Sequence, residues 1–140
     1  MTDPSSQDRA AERINRQFAR DTSQLAEIRR FVQTWFQRYD LPRSMADDFE
    51  LAVSELTTNA IQYGMGALVD VCLEVDVVLV SAVVAAASAA AANVGRVDSW
   101  SIAPPAALHG RGLGIVAAIM DVVEFSGDDG RAVFRCGRRR

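Results

Sequence analysis

The chain has 140 residues, 49% hydrophobic and 24% charged, with a formal net charge of −3. That length supports one hydrophobic core and is too short for two ordinary domains. A pI near 5.1 gives no general attraction to nucleic acid, so no direct nucleic-acid contact is expected, and Arg138, Arg139 and Arg140 read as a small solvated basic tail.

Residues 1–12 are polar and charged without an apolar period, and are expected to form a flexible arm ahead of a single domain over 13–140. They contain no apolar segment of the kind that opens a secretory signal. A short strand is expected at Ile14–Ala19. Asp21, Thr22 and Ser23 are good helix-capping types, and after them Leu25, Ile28, Val32, Trp35 and Tyr39 recur at steps of three and four, the stripe of an amphipathic helix that Leu41-Pro42 ends. Trp35 and Phe36 belong to its packing face.

A second helix is expected from Ser44, with Asp47 three residues on as in a capping box, through Phe49, Ala52, Val53, Leu56 and Ala60 to a stop at Gly64. The period then changes to two. Val69, Val71, Leu73 and Val75 alternate with Asp70, Cys72 and Glu74, the signature of a half-buried strand, and Asp76 marks a turn. Val77–Val84 reads as the next strand and runs into the alanine-rich stretch Ala85–Ala92, which has no signature of its own. This region comes closest to a membrane span but is too short and too rich in alanine, so no membrane insertion and a cytoplasmic location are expected.

Asn93–Pro105 has the chemistry of a loop. Beyond Gly110, Gly112 and Gly114 the apolar run Ile115–Val122 suits a helix packed on a sheet. Val123–Phe125 and Ala132–Phe134 flank Gly127-Asp128-Asp129-Gly130, a good hairpin turn. Cys72 and Cys136 lie in strand-like segments without metal-site spacing and read as buried free thiols of a reducing compartment. This order of elements favours an α+β two-layer sandwich, an antiparallel-rich mixed sheet covered on one face by helices, over alternating βαβ units.

Two segments carry chemistry. Glu55 and Asn59 stand four residues apart on the second helix, so their side chains lie on the same flank. A carboxylate and an amide so placed can share one pocket, the amide oxygen on Mg²⁺ and the carboxylate taking a proton from an attacking hydroxyl. The bland alternative is a surface charge and a tolerated asparagine. The second segment is Gly110-Arg111-Gly112-Leu113-Gly114-Ile115. Glycines let backbone approach phosphate oxygens, the following helix offers unpaired N–H groups, and Arg111 can contact a phosphate directly. It fits neither GxGxxG nor a Walker A loop, and a GxGxG also serves as a plain turn. His109 beside it reads as a loop histidine without a ligand set.

Together, Leu51-Ala-Val-Ser-Glu-Leu-Thr-Thr-Asn-Ala-Ile-Gln-Tyr-Gly64 and the Gly110–Gly114 loop resemble the nucleotide-site motifs of GHKL (Bergerat-fold) ATPases. The likeness is nearest to the bacterial anti-sigma-factor serine kinases, and it covers most of the chain. The resemblance implies a Bergerat-type fold that binds ATP and Mg²⁺. Asn59 would be the metal ligand and Glu55 the general base, with Gly110, Arg111, Gly112, Leu113 and Gly114 around the phosphates. It also implies serine/threonine kinase activity in transcription regulation, with a sigma factor and a STAS-type anti-anti-sigma protein as partners. A homodimer through the sheet edge or the first helix is a further candidate.

The chain departs from the family at one place. An Asp-x-Gly-x-Gly that accepts the adenine amino group would have its Asp near Ala86 or Ala87 and its first Gly near Ser88. Losing that acceptor weakens binding by about 1.5–3 kcal/mol. Asp98 beside Trp100 is one substitute by position. The alternative to a kinase is therefore a module of the same fold that has lost its nucleotide site and acts by sequestering a partner. A stand-alone α+β domain of another role is the third reading.

Overall fold

The protein is described from a computed structural model over residues 11–88, 111–128 and 130–140. In chain order it comprises β1 (Glu12–Ala19), a 3-10 turn (Thr22–Gln24), α1 (Leu25–Phe36), α2 (Arg43–Tyr63), β2 (Met65–Val75) and β3 (Leu79–Ala87), then α3 (Arg111–Ile119), β4 (Val122–Asp128) and β5 (Arg131–Arg139). The described strands form one sheet in the order β1-β2-β3-β5-β4, and every pairing among the described residues is antiparallel. The α+β two-layer arrangement expected from the element order is the one observed.

Period-two alternation decides which sheet face is covered. Val69, Val71, Leu73 and Val75 of β2 are buried, as are Val80, Ala82, Val84 and Ala86 of β3 and Ala132, Phe134 and Cys136 of β5. They share one core with Ile28, Val32, Trp35 and Phe36 of α1 and Phe49, Val53 and Leu56 of α2. Helices therefore cover a single face. Phe36 and Phe49 join α1 to α2 at 5.1 Å between ring centroids. The hairpin closes between Asp128 and Arg131, and Gly130 at φ 75° supplies the left-handed residue that so short a connection needs.

Several boundaries differ from the sequence reading. The first helix ends at Phe36 and not beside Pro42, although Tyr39 still packs on Trp35 at 5.0 Å. The second begins at Arg43 with Pro42 as its N-cap and no side-chain capping bond. Asp47 closes no capping box. Its Oδ1 accepts from Gln33 Nε2 of α1 at 3.0 Å, which ties the two helices together. β2 starts four residues early, at Met65, because a register shift between Met65 and Asp70 admits the glycine-containing stretch to the sheet. α3 begins at Arg111, so the glycine segment is partly helical.

The C-terminal arginines are not a free tail. Arg138 ion-pairs with Asp48 of α2, Arg139 N donates to Asp121 Oδ2 at 2.9 Å, and Arg140 Nη1 donates to the Asp76 carbonyl at 2.8 Å. The two thiols are free; Cys136 is buried but Cys72 only half-buried. Cys136 pairs with Ala82 and Cys72 with Val83, adjacent β3 residues that point to opposite faces, so the two cysteines also face apart. Among the described residues no helix is long and apolar enough to cross a membrane.

Candidate functional site

The site is built on the last three turns of α2. Ser54, Thr57 and Asn59 are the helix's buried polar residues, and burial of polar groups is tolerated only when they are hydrogen-bonded. Thr57 Oγ1 donates back to the carbonyls of Val53 (2.8 Å) and Ser54 (3.0 Å). Thr58 Oγ1 donates to the Ser54 carbonyl at 2.8 Å. Ser54 Oγ in turn accepts from Arg29 Nε of α1 at 3.1 Å. The threonines thus serve the helix itself.

Asn59 is 8% exposed and lines a cavity with Ala60, Tyr63 and Gly64 of the same helix end, Ala86, Ala87 and Ser88 at the end of β3, and Ala132 and Phe134 of β5. Ala86 follows Val80, Ala82 and Val84 on the helix-facing side of β3, so the chain position expected to carry a purine-binding carboxylate does open toward Asn59. Among the described residues that line it there is no carboxylate. The cavity measures only about 10 Å³, room for about one water and far below the few hundred Å³ typical of a small-molecule pocket. Ser88 is 5% exposed, and its N–H donates to the Gly130 carbonyl at 2.8 Å, which fixes this end of β3 against the hairpin.

Glu55 is half-buried, one helical turn from Asn59, and lies outside this cavity. The structure therefore brings Asn59 together with the end of β3 and keeps the carboxylate on the same helix flank closer to solvent. Leu113 is 3% exposed and is part of the core, a packing role that its place in the glycine segment did not disclose. A Cβ on Gly114 would meet nothing within 4 Å, so internal packing gives no reason for that glycine. Gly110 lies outside the described residues, as do Asp98, Trp100, His109 and Ala89–Ala92, and the side chains of Arg111 and Gly112 are likewise not described.

Among the described residues no group of three or more His, Cys, Asp or Glu could hold a metal. Asn59 offers one amide oxygen, and Mg²⁺ commonly keeps several waters and takes further ligands from substrate phosphates. At the end of β3 the described wall is Ala86, Ala87 and Ser88, with no charged acceptor among the described residues.

Sequence reasoning missed Arg20. Its backbone N–H donates to the Ala67 carbonyl at 2.9 Å, while Nε and Nη1 reach the carbonyls of Gly66 (2.8 Å) and Ile61 (2.6 Å). A cation at a helix C-terminus is a common device, but these partners lie more than forty residues away, and nothing in the local text signals the pairing.

Residues 18–135 match the model of the histidine kinase-like ATPase domain family, and the chain belongs to that family. Its fold is similar to that in the crystal structure of the RsbU and RsbW domains of Rv1364c from Mycobacterium tuberculosis. That match has a TM-score of 0.64 at 16% identity and covers 91% of this chain but 32% of the other. The chain thus spans about a third of that neighbour's length. No curated protein matches the chain.

Proposed function

We propose that this chain is a nucleotide-dependent regulatory domain of the anti-sigma-factor kinase type, which binds ATP·Mg²⁺ and transfers a phosphoryl group to a serine or threonine of a STAS-type protein. The observation that carries the reading is the burial of Asn59, late in α2, against the end of β3, with Glu55 one turn earlier on the same flank. In this reading Asn59 holds the metal and Glu55 takes the proton of the attacking hydroxyl, while bound ATP supplies the phosphoryl group. In the same reading Gly114, open to approach on its exposed side, lies by the phosphates at the start of α3, and the resemblance assigns Gly110, Arg111 and Gly112 to the same task. The named partners, a sigma factor and a STAS-type antagonist, follow from the resemblance alone, as does a homodimer. Work in the cytoplasm is the matching expectation.

One observation favours a second reading. Ala86, Ala87 and Ser88 stand where a purine acceptor belongs, around a cavity of about 10 Å³, and a domain so built could act by partner contact without nucleotide. Isothermal titration with ATP and Mg²⁺ separates the two. The kinase reading predicts saturable, metal-dependent heat. Its absence at high protein concentration removes the kinase and leaves the contact module.

A further inference from the structure

We propose that Arg20 is a positioning residue for the nucleotide site, its guanidinium fixing the cavity wall that Tyr63 and Gly64 form beside Asn59; this rests on the nucleotide-binding reading above. The two carbonyls that the guanidinium holds belong to Ile61 and Gly66, and Tyr63 and Gly64 lie between them in the chain. Both intervening residues line the Asn59 cavity. A planar fork with donors in fixed directions, holding carbonyls on both sides of a short segment, constrains that segment in a way that a single point charge cannot.

The segment needs such a constraint because its own structure is weak. α2 ends at Tyr63, and Gly64 N donates to the Ala60 carbonyl at 2.8 Å as the helix's closing bond. Met65, Leu68 and Tyr63 are all more than 40% exposed, so little apolar burial holds the connection. Gly66 is at φ 80°, a flexible position next to the register shift in β2. Arg20 reaches this segment from the end of β1, on the far side of β2. Its backbone bond to Ala67 makes the attachment a third time. The far end of the same helix is pinned separately, by Arg138 on Asp48, about three turns before Asn59.

These two pins allow a controlled test in the full chain. Arg20→Ala and Arg20→Lys are compared with Arg138→Ala by Mg²⁺·ATP titration, thermal melting and amide exchange at Gly64. Arg20→Lys keeps the charge at the helix end but serves one carbonyl at a time. It is expected to melt within a few degrees of the unaltered protein, to bind Mg²⁺·ATP about tenfold more weakly, and to exchange faster at Gly64. Arg20→Ala loses affinity and melting temperature together. Arg138→Ala melts lower but keeps both its affinity and its slow exchange at Gly64.

Affinity that falls equally in Arg138→Ala and Arg20→Lys would mean that Arg20 acts only through general stability, and would overturn the proposal. So would unchanged affinity and exchange in both Arg20 variants while the unaltered chain binds. An unaltered chain that binds no nucleotide overturns the underlying reading instead, and the positioning role falls with it.

Discussion

Gly64 at the end of α2 rests against Ala87 at the end of β3. A Cβ added at Gly64 would stand 3.3 Å from the Ala87 carbonyl oxygen and 2.2 Å from that of Ala60. The backbone conformation there is ordinary, at φ −78° and ψ 174°, so the need for glycine comes from crowding and not from a left-handed turn. Both obstructing atoms are main chain and cannot swing aside. Gly64→Ala is therefore expected to destabilise the fold by about 1–3 kcal/mol, read as a lower midpoint in denaturant unfolding. A midpoint equal to that of the unaltered protein would show that the helix end and β3 are not in contact.

The alanine wall yields a gain-of-function prediction. Ala86 is 3% exposed and faces Asn59, so Ala86→Asp places a carboxylate where a purine amino group would be met. ATP affinity should rise roughly tenfold to a hundredfold, the equivalent of about 1.5–3 kcal/mol. The free protein should lose about 1–3 kcal/mol, because the new charge is buried without its partner. Calorimetry and thermal melting read the two effects separately. A folded variant that binds no more tightly would show that the base does not reach the end of β3.

Cys136 makes stability depend on pH. Burial pushes its thiol from an ordinary 9.0 up to about 12, opposed by a hydrogen bond with the Ala82 backbone. The folded state thus keeps its proton after the unfolded chain has lost it. The stability this contributes is fully present below about pH 9 and is lost as pH rises toward 12, with a limiting slope of about 1.4 kcal/mol per pH unit. Tyr39, raised to about 12 by burial and by Glu12, adds a decline of the same sign above its ordinary 10.0. Urea midpoints measured from pH 8 to 11 should fall, and Cys136→Ala should flatten the first part of the fall. An equally steep profile in that variant would remove Cys136 as a cause.

Most of the fold was legible because its elements have strong local periods. The alternation of Val69 to Val75 announced β2, and the stripe from Leu25 to Trp35 announced α1. What failed to read was set by distant contacts. Ser44 and Asp47 imitate a capping box, yet Pro42 caps α2 and Asp47 is drawn to Gln33 of α1. Arg138 and Arg139 carry no hydrophobic period, but pairing with β3 and the ion pair of Arg138 with Asp48 make them strand. In β3 the alanines at 85–87 lack any signature and are ordered by neighbours on both sides.

The candidate site divides along the same line. The four-residue spacing of Glu55 and Asn59 placed both on one helix flank, and the count along β3 put the missing Asp near Ala86 or Ala87, residues that the fold sets beside Asn59. How deeply each residue sits was not legible, because the sequence does not say how closely α2 approaches β3. Arg20 escaped notice for a related reason, since its carbonyl partners belong to backbone whose residue types reveal nothing about it.

If Asn59 holds the metal of a bound nucleotide, ATP titration of Asn59→Ala with and without Mg²⁺, beside Glu55→Gln and the unaltered chain, will show it. Metal-dependent binding is expected in the unaltered protein and in Glu55→Gln, with phosphate transfer lost in the latter, and no metal-dependent component in Asn59→Ala. Metal-dependent binding that persists undiminished in Asn59→Ala would contradict it.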